Sequence, residues 1–291
     1  MRYLGWLALV LVVACAPAAS DETTTTPGAL STTTVPVATT STTIEPADPS
    51  AGCSEGEGFV DAGRVMSAGQ AASDTNTLGP IAWVVEDGCE RLTVQFETTE
   101  GAPATTPPAV IVEFLDSRQV LRIRVDVGST VVTDQLVETP LVDRLFVVRA
   151  LDGGMFIDLH LRGTAQARAE VSTSPARLTL GLETGVQALD AAATIGGDTV
   201  LISPSDGAQP SAGAVEIAGY ARVFEANVLV VASIGGETVA RTTATAADWT
   251  ETWGEFRTPI QLPPGEVSLF VGEESAADGS RVGPTINLTV R

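Results

Sequence analysis

The chain has 291 residues, 44% of them hydrophobic, which is enough for one or two domains with real cores and excludes a wholly disordered protein. Its 36 acidic residues stand against 16 basic ones, every one of them arginine, for a formal net charge of -20. A surface of that sign repels phosphate backbones, which excludes a nucleic-acid partner. The lack of lysine beside abundant Ala, Gly, Val and Thr points to a GC-rich bacterial coding bias.

At the N-terminus Arg2 precedes an apolar run over residues 4–14, and Val12, Val13 and Ala14 lead into Cys15. As a helix that run rises only about 16 Å, well short of the ~30 Å hydrocarbon core of a bilayer. Residues 1–14 are therefore predicted to be a signal peptide rather than a spanning anchor. The stretch into Cys15 resembles the lipobox of bacterial lipoproteins, with Val where Leu is commoner. It implies a lipidated Cys15 that holds the mature chain on the outer face of the cytoplasmic membrane. Cleavage near Ala16, Pro17, Ala18 and Ala19, with Cys15 discarded, is the competing reading.

Residues 15–52 alternate threonine runs with proline and carry no periodic apolar face, so they are predicted to be a disordered spacer. A flexible coil of ~37 residues spans roughly 35 Å, enough to hold a folded part off the membrane. Thr-Pro-rich stalks also accept O-linked sugars. Beyond the spacer only Cys53 and Cys89 remain, and in an exported, oxidising setting they are expected to pair. A metal site is the weaker reading, because two cysteines and one distant histidine form no ligand spacing.

Residues 53–184 carry several alternating segments. Leu121, Ile123, Val125 and Val127 share one face of a strand and Arg122, Arg124 and Asp126 the other. The same pattern recurs around Met155, Ile157, Leu159 and Leu161, and around Leu178, Leu180 and Leu182, with further strands near 92–96, 110–115 and 144–149. A β-sandwich or compact barrel follows. The opening Cys89, Glu90, Arg91, Leu92 and the closing Ser174, Pro175, Ala176, Arg177 resemble the AMIN and AMIN-like domains of bacterial envelope proteins. That resemblance implies a small β-sandwich that localises proteins at the cell wall, in some members by contacting peptidoglycan.

Residues 185–199 read as a connector and 200–291 as a second domain, with strands expected near 215–219, 226–233, 237–244, 256–262, 266–271 and 285–290. Ile202, Pro204 and Gly207 open it; Gly219, Val223, Phe224, Glu225 and Ala226 follow; Asp278 and Gly279 form a late turn. These positions resemble the immunoglobulin-like domain of bacterial spore-germination proteins, which implies a second β-sandwich. Gly219 is expected to permit a bend or a close backbone approach, and Phe224 to plug the core. Glu225, beside that ring, either orients a loop or contacts a partner. The predicted fold class is thus all-β, two sandwiches after a signal peptide and a stalk.

Chemistry is hard to find. His160, the single histidine, shares a polar strand face with Asp158 and Arg162, and no nucleophile motif accompanies it, so a solvated strand residue is expected. Gly196–Gly197 and Gly235–Gly236 read as turns rather than phosphate loops. No catalytic residue, metal or cofactor is implied. Trp249 and Trp253 are expected to be buried in the core or to anchor a loop, with a sugar-stacking platform that faces a ligand as the competing reading. The expected role is a non-enzymatic, membrane-anchored envelope lipoprotein that binds cell-wall components such as peptidoglycan. The alternative is a scaffold whose immunoglobulin-like domain docks another exported protein or a sporulation-type assembly.

Overall fold

Strands form where small turn residues interrupt apolar alternation, and the computed structural model is all-β. It describes Cys53 and residues 58–70, 72–86, 88–115, 118–189, 191–275 and 277–291. The signal peptide, Cys15 and the stalk lie outside the described residues. The chain divides into Met1–Ala47 and Asp48–Arg291, and all described residues belong to the second unit.

The first half contributes β1 (Arg64–Ala68), β2 (Thr77–Glu86), β3 (Cys89–Glu97), β4 (Val110–Phe114), β5 (Val120–Val125), β6 (Ser129–Thr130), β7 (Asp134–Leu136), β8 (Val142–Arg149), β9 (Met155–Leu161), β10 (Ala165–Ser172) and β11 (Arg177–Thr184). The second contributes β12 (Thr194–Gly196), β13 (Thr199–Ser203), β14 (Gly213–Ala221), β15 (Asn227–Ile234), β16 (Glu237–Thr245), β17 (Trp253–Leu262), β18 (Gly265–Glu274), β19 (Arg281–Val282) and β20 (Thr285–Val290). Residues 185–199, read as a connector, hold β12, which pairs with β13.

The first sandwich sets β10-β11-β3-β2-β6 against β1-β4-β5-β9-β8. Leu92, Val94 and Leu180 on one sheet meet Ile123, Leu145 and Ile157 on the other in a common core. Glu90 ties the layers together: its carboxylate accepts hydrogen bonds from the Thr139 hydroxyl and the Leu141 N–H, both at 2.6 Å. The predicted disulfide is present, joining Cys53 to Cys89 at a Cα–Cα distance of 5.6 Å. The second sandwich sets β12-β13-β14-β17 against β15, β16, β18 and β20, with Ile217, Phe256 and Ile260 packed on Val230, Leu269 and Leu288.

The two sandwiches share a sheet. β8 and β17 pair in parallel, Trp253 opposite Val148 and Gly254 opposite Arg149, so one ten-stranded sheet runs through both. Every residue of β9 is buried. A strand in an isolated two-layer sandwich buries one face only, so the second face of β9 must be covered by something beyond its own domain.

Candidate functional site

What covers β9 is the second sandwich, and the contact is built on a small grid of side chains. The register places Arg122 opposite Asp158 and Arg124 opposite Phe156; on the other flank Arg144 lies opposite His160 and Phe146 opposite Asp158. These residues share the sheet face turned away from the first core, because successive side chains alternate. The second domain brings Val200, Tyr220 and Trp253 onto it, forming an aromatic cluster with Phe146 and Phe156. Phe146 stands edge-on to Trp253 at 4.8 Å between centroids, and Tyr220 edge-on to Phe156 at 6.1 Å.

Inside that apolar seam lies a polar network. Arg122 Nε and Nη2 donate to the two Asp158 carboxylate oxygens, each at 2.7 Å, while the guanidinium sits 3.8 Å from the Phe156 ring centroid. Such a fork-on-fork pair satisfies both charges geometrically. Burial alone would pull the Arg122 proton affinity down, but the Asp158 charge and hydrogen bonds outweigh it and hold the guanidinium above its usual value. His160 Nε2 and Tyr220 Oη lie 2.5 Å apart across the domain boundary.

Burial pushes the imidazole down to about 4, against the pull of the Asp158 carboxylate; Arg144 deepens the fall. Burial, helped by Asp158, pushes the phenol well up. Both groups are therefore neutral near pH 7, and the bond between them joins two uncharged partners. Enclosed in this way, the cluster joins domains rather than receiving a solute. Tyr220→Phe leaves a buried His160 nitrogen without its partner and is expected to lower stability by about 1–3 kcal/mol, read by urea unfolding.

Further bonds cross the same seam. Arg149 pairs with Asp248 at 3.2 Å, the Thr252 hydroxyl donates to the Val147 carbonyl at 2.6 Å, and the Leu151 N–H donates to Glu255 at 3.1 Å. Trp253 Nε1 donates to Asp134 at 3.3 Å.

The structure overturns the expectations for His160 and Phe224. His160 is 6% exposed, not solvated, because the second domain lies over the strand face that alternation marks as polar. Trp253, also 6% exposed, is an interdomain core residue, in keeping with the burial reading and against the stacking-platform one. Phe224 does not plug the core: it is 69% exposed. Its neighbours Val223 and Ala226 point inward instead, and a short 3-10 turn, Phe224–Ala226, turns the ring outward. Glu225 and Ala226 hold φ of 54° and 56° there, a left-handed backbone that costs non-glycine residues of order 1–3 kcal/mol each.

The remaining candidates are placed as follows. Gly219 meets its expectation of a close approach: a Cβ at this position would collide with the Val200 carbonyl and touch the Phe256 ring. Gly207 and Gly279 occupy turns at φ +75° and +70°. Pro204 is buried after a cis peptide bond, and Asp278 accepts from the Ser280 N–H at 3.0 Å and hydroxyl at 2.7 Å, closing the late turn. Trp249 stays at the surface, 37% exposed, and stands edge-on to Phe224 at 5.4 Å. The Asp248 carboxylate caps its loop, accepting from the N–H groups of Trp249, Thr250 and Glu251 at 2.6, 2.9 and 3.3 Å. Burial pushes the Asp248 carboxyl up, but those bonds together with the one from Arg149 outweigh it and hold the group below the usual range.

The alternation rule did not identify the joint residues Arg122, Asp158 and Tyr220, although one signal was available. Leu145, Phe146, Val147 and Val148 form an unbroken apolar run in β8, the mark of a strand buried on both faces. Among the described residues no group of three or more His, Cys, Asp or Glu is arranged to hold a metal ion, and no helix is long and apolar enough to cross a membrane. No curated protein and no solved structure matches the chain. Residues 200–280, the span that holds Gly219, Tyr220, Phe224 and Trp249, match the family of the immunoglobulin-like domain of bacterial spore germination.

Proposed function

We propose that the chain is an exported lipoprotein, tethered through Cys15, that works without catalysis as an envelope-binding module. Its first domain is read as AMIN-like and its two sandwiches as one rigid body held toward cell-wall components. The observation that carries this reading is the joint: a shared sheet and a buried Arg122, Asp158, His160 and Tyr220 network fix the domains to each other. A rigid pair of sandwiches on a long spacer suits presenting a surface to an immobile polymer, since a binding surface fixed in advance loses little entropy on contact.

The lipobox, the Thr-Pro spacer and the disulfide support an extracytoplasmic address. The test is co-sedimentation of the detergent-solubilised full chain with purified peptidoglycan, together with palmitate labelling of cells. Pelleting of the protein and a label lost in Cys15→Ser are the expected results; a protein that stays in the supernatant overturns wall binding, and an unlabelled chain overturns the tether. The family match at 200–280 favours one second reading, a scaffold that docks another exported protein. In-cell crosslinking that captures a discrete polypeptide and no wall material would favour it.

A further inference from the structure

Phe224 and Trp249 are, among the described residues, the one aromatic pair with both rings exposed. Every other ring contact draws on Phe146, Phe156, His160, Tyr220 and Trp253, all buried. Exposing two large rings side by side sacrifices burial that a neighbouring core would reward. Here the exposure is built in. Buried Val223 and Ala226 anchor the turn on either side of Phe224, and two consecutive left-handed non-glycine residues hold it open. Backbone strain of this kind, fixed by its surroundings, concentrates at sites that touch ligands.

Trp249 is held with similar care. Asp248 caps its loop and is itself pinned by Arg149 of the first domain. The loop is also tied to the Phe224 turn, because Arg222 Nη2 donates to the Thr250 carbonyl at 3.5 Å and the Ala246 N–H to the Ala226 carbonyl at 2.9 Å. The two rings form a corner whose geometry depends on both domains being joined.

We infer that this corner is a stacking site for a neutral pyranose ring of a wall glycan, an assignment that rests on the envelope-binding reading above. Two arguments select that chemistry. The electron-rich ring faces attract the C–H bonds on the flat side of a pyranose, which neighbouring oxygens polarise. The charges around the corner nearly cancel: Arg149 and Arg222 stand against Glu225, Asp248 and Glu251, with Arg149 bonded to the last two. On a chain of net charge -20 that near-neutral corner suits an uncharged ligand, whereas a polyanion is repelled by the surrounding surface.

The test uses the detergent-solubilised full chain, a β-1,4-linked tetramer of N-acetylglucosamine as probe, and Phe224→Ala, Trp249→Ala and Trp249→Phe variants. Calorimetry is expected to show tetramer binding that weakens at least tenfold in both alanine variants and is largely kept in Trp249→Phe. Unchanged melting of Phe224→Ala shows that the loss is not misfolding, since that ring is exposed. Tetramer binding that survives both alanine changes overturns the assignment. So does peptidoglycan co-sedimentation indifferent to all three variants, which leaves the envelope-binding reading standing. Failure of the wild-type chain to bind either probe overturns both. Crosslinking to an exported polypeptide that disappears in Phe224→Ala, without any glycan binding, identifies the corner as a protein contact and overturns the sugar assignment.

Discussion

Asp158→Ala is expected to lower the unfolding free energy by about 3–5 kcal/mol, because it leaves the Arg122 guanidinium buried without its counter-charge. For a folded part of this size that corresponds to a melting point lower by roughly 10 °C. A second variant separates the loss due to the unpaired charge from the loss of packing. Arg122→Met with Asp158→Leu removes both charges and fills the space with apolar atoms, so it is expected to recover much of the stability. Urea unfolding followed by tryptophan fluorescence reads the effect, since Trp253 packs on Phe146 in the same seam. An Asp158→Ala chain as stable as the wild type would mean that the seam opens to water and that the domains are not locked as described.

Acidification is expected to destabilise the fold by about 3 kcal/mol between pH 6.5 and 4, through His160 alone. The folded imidazole titrates at about 4 and an unfolded one near 6.5, so within that window the unfolded chain binds a proton that the folded chain does not. Stability is thus complete above pH 6.5 and declines as pH falls through the window. Around the imidazole stand Asp158 on its own strand, Arg122 on β5, Asp143 and Arg144 on β8, and Tyr220 on β14.

The carboxylates held below their usual range, Asp74, Asp248, Glu274 and Asp278, have the opposite kind of environment, with partners that favour the charge. Their contribution is lost only as pH falls through and below the ordinary carboxylate range, near and under pH 4. The interval from 5 to 6.5 therefore isolates His160. His160→Gln is expected to flatten that interval in a plot of unfolding free energy against pH, and an unchanged slope would assign the loss to another group.

Local periodicity carried the strand assignments because it depends only on neighbours along the chain. Leu178, Leu180 and Leu182 alternate cleanly and form β11; the six strands expected in the second domain all appear with ends within a few residues of those expected. β10 escaped notice because Ala165, Ala167 and Ala169 are too small to mark an apolar face, although Ala165 and Ala167 are fully buried. Phe224 was misplaced for a related reason. An aromatic beside Val223 reads as core, and only the left-handed backbone at Glu225 and Ala226 reverses it.

The amino-acid sequence by itself determined the all-β class, because turn residues and alternation are local facts, and it raised the expectations of two sandwiches and of a Cys53–Cys89 disulfide, which the structure bears out. It also determined which residues of β5 and β9 share the polar face. Only the tertiary structure decided that this face is buried, since alternation reports which side chains are neighbours and not what lies above them. The packing of Tyr220 on His160 and the outward turn of Phe224 beside Trp249 depend on residues 60 and 25 positions apart in the chain meeting in space. No window along the sequence contains that information.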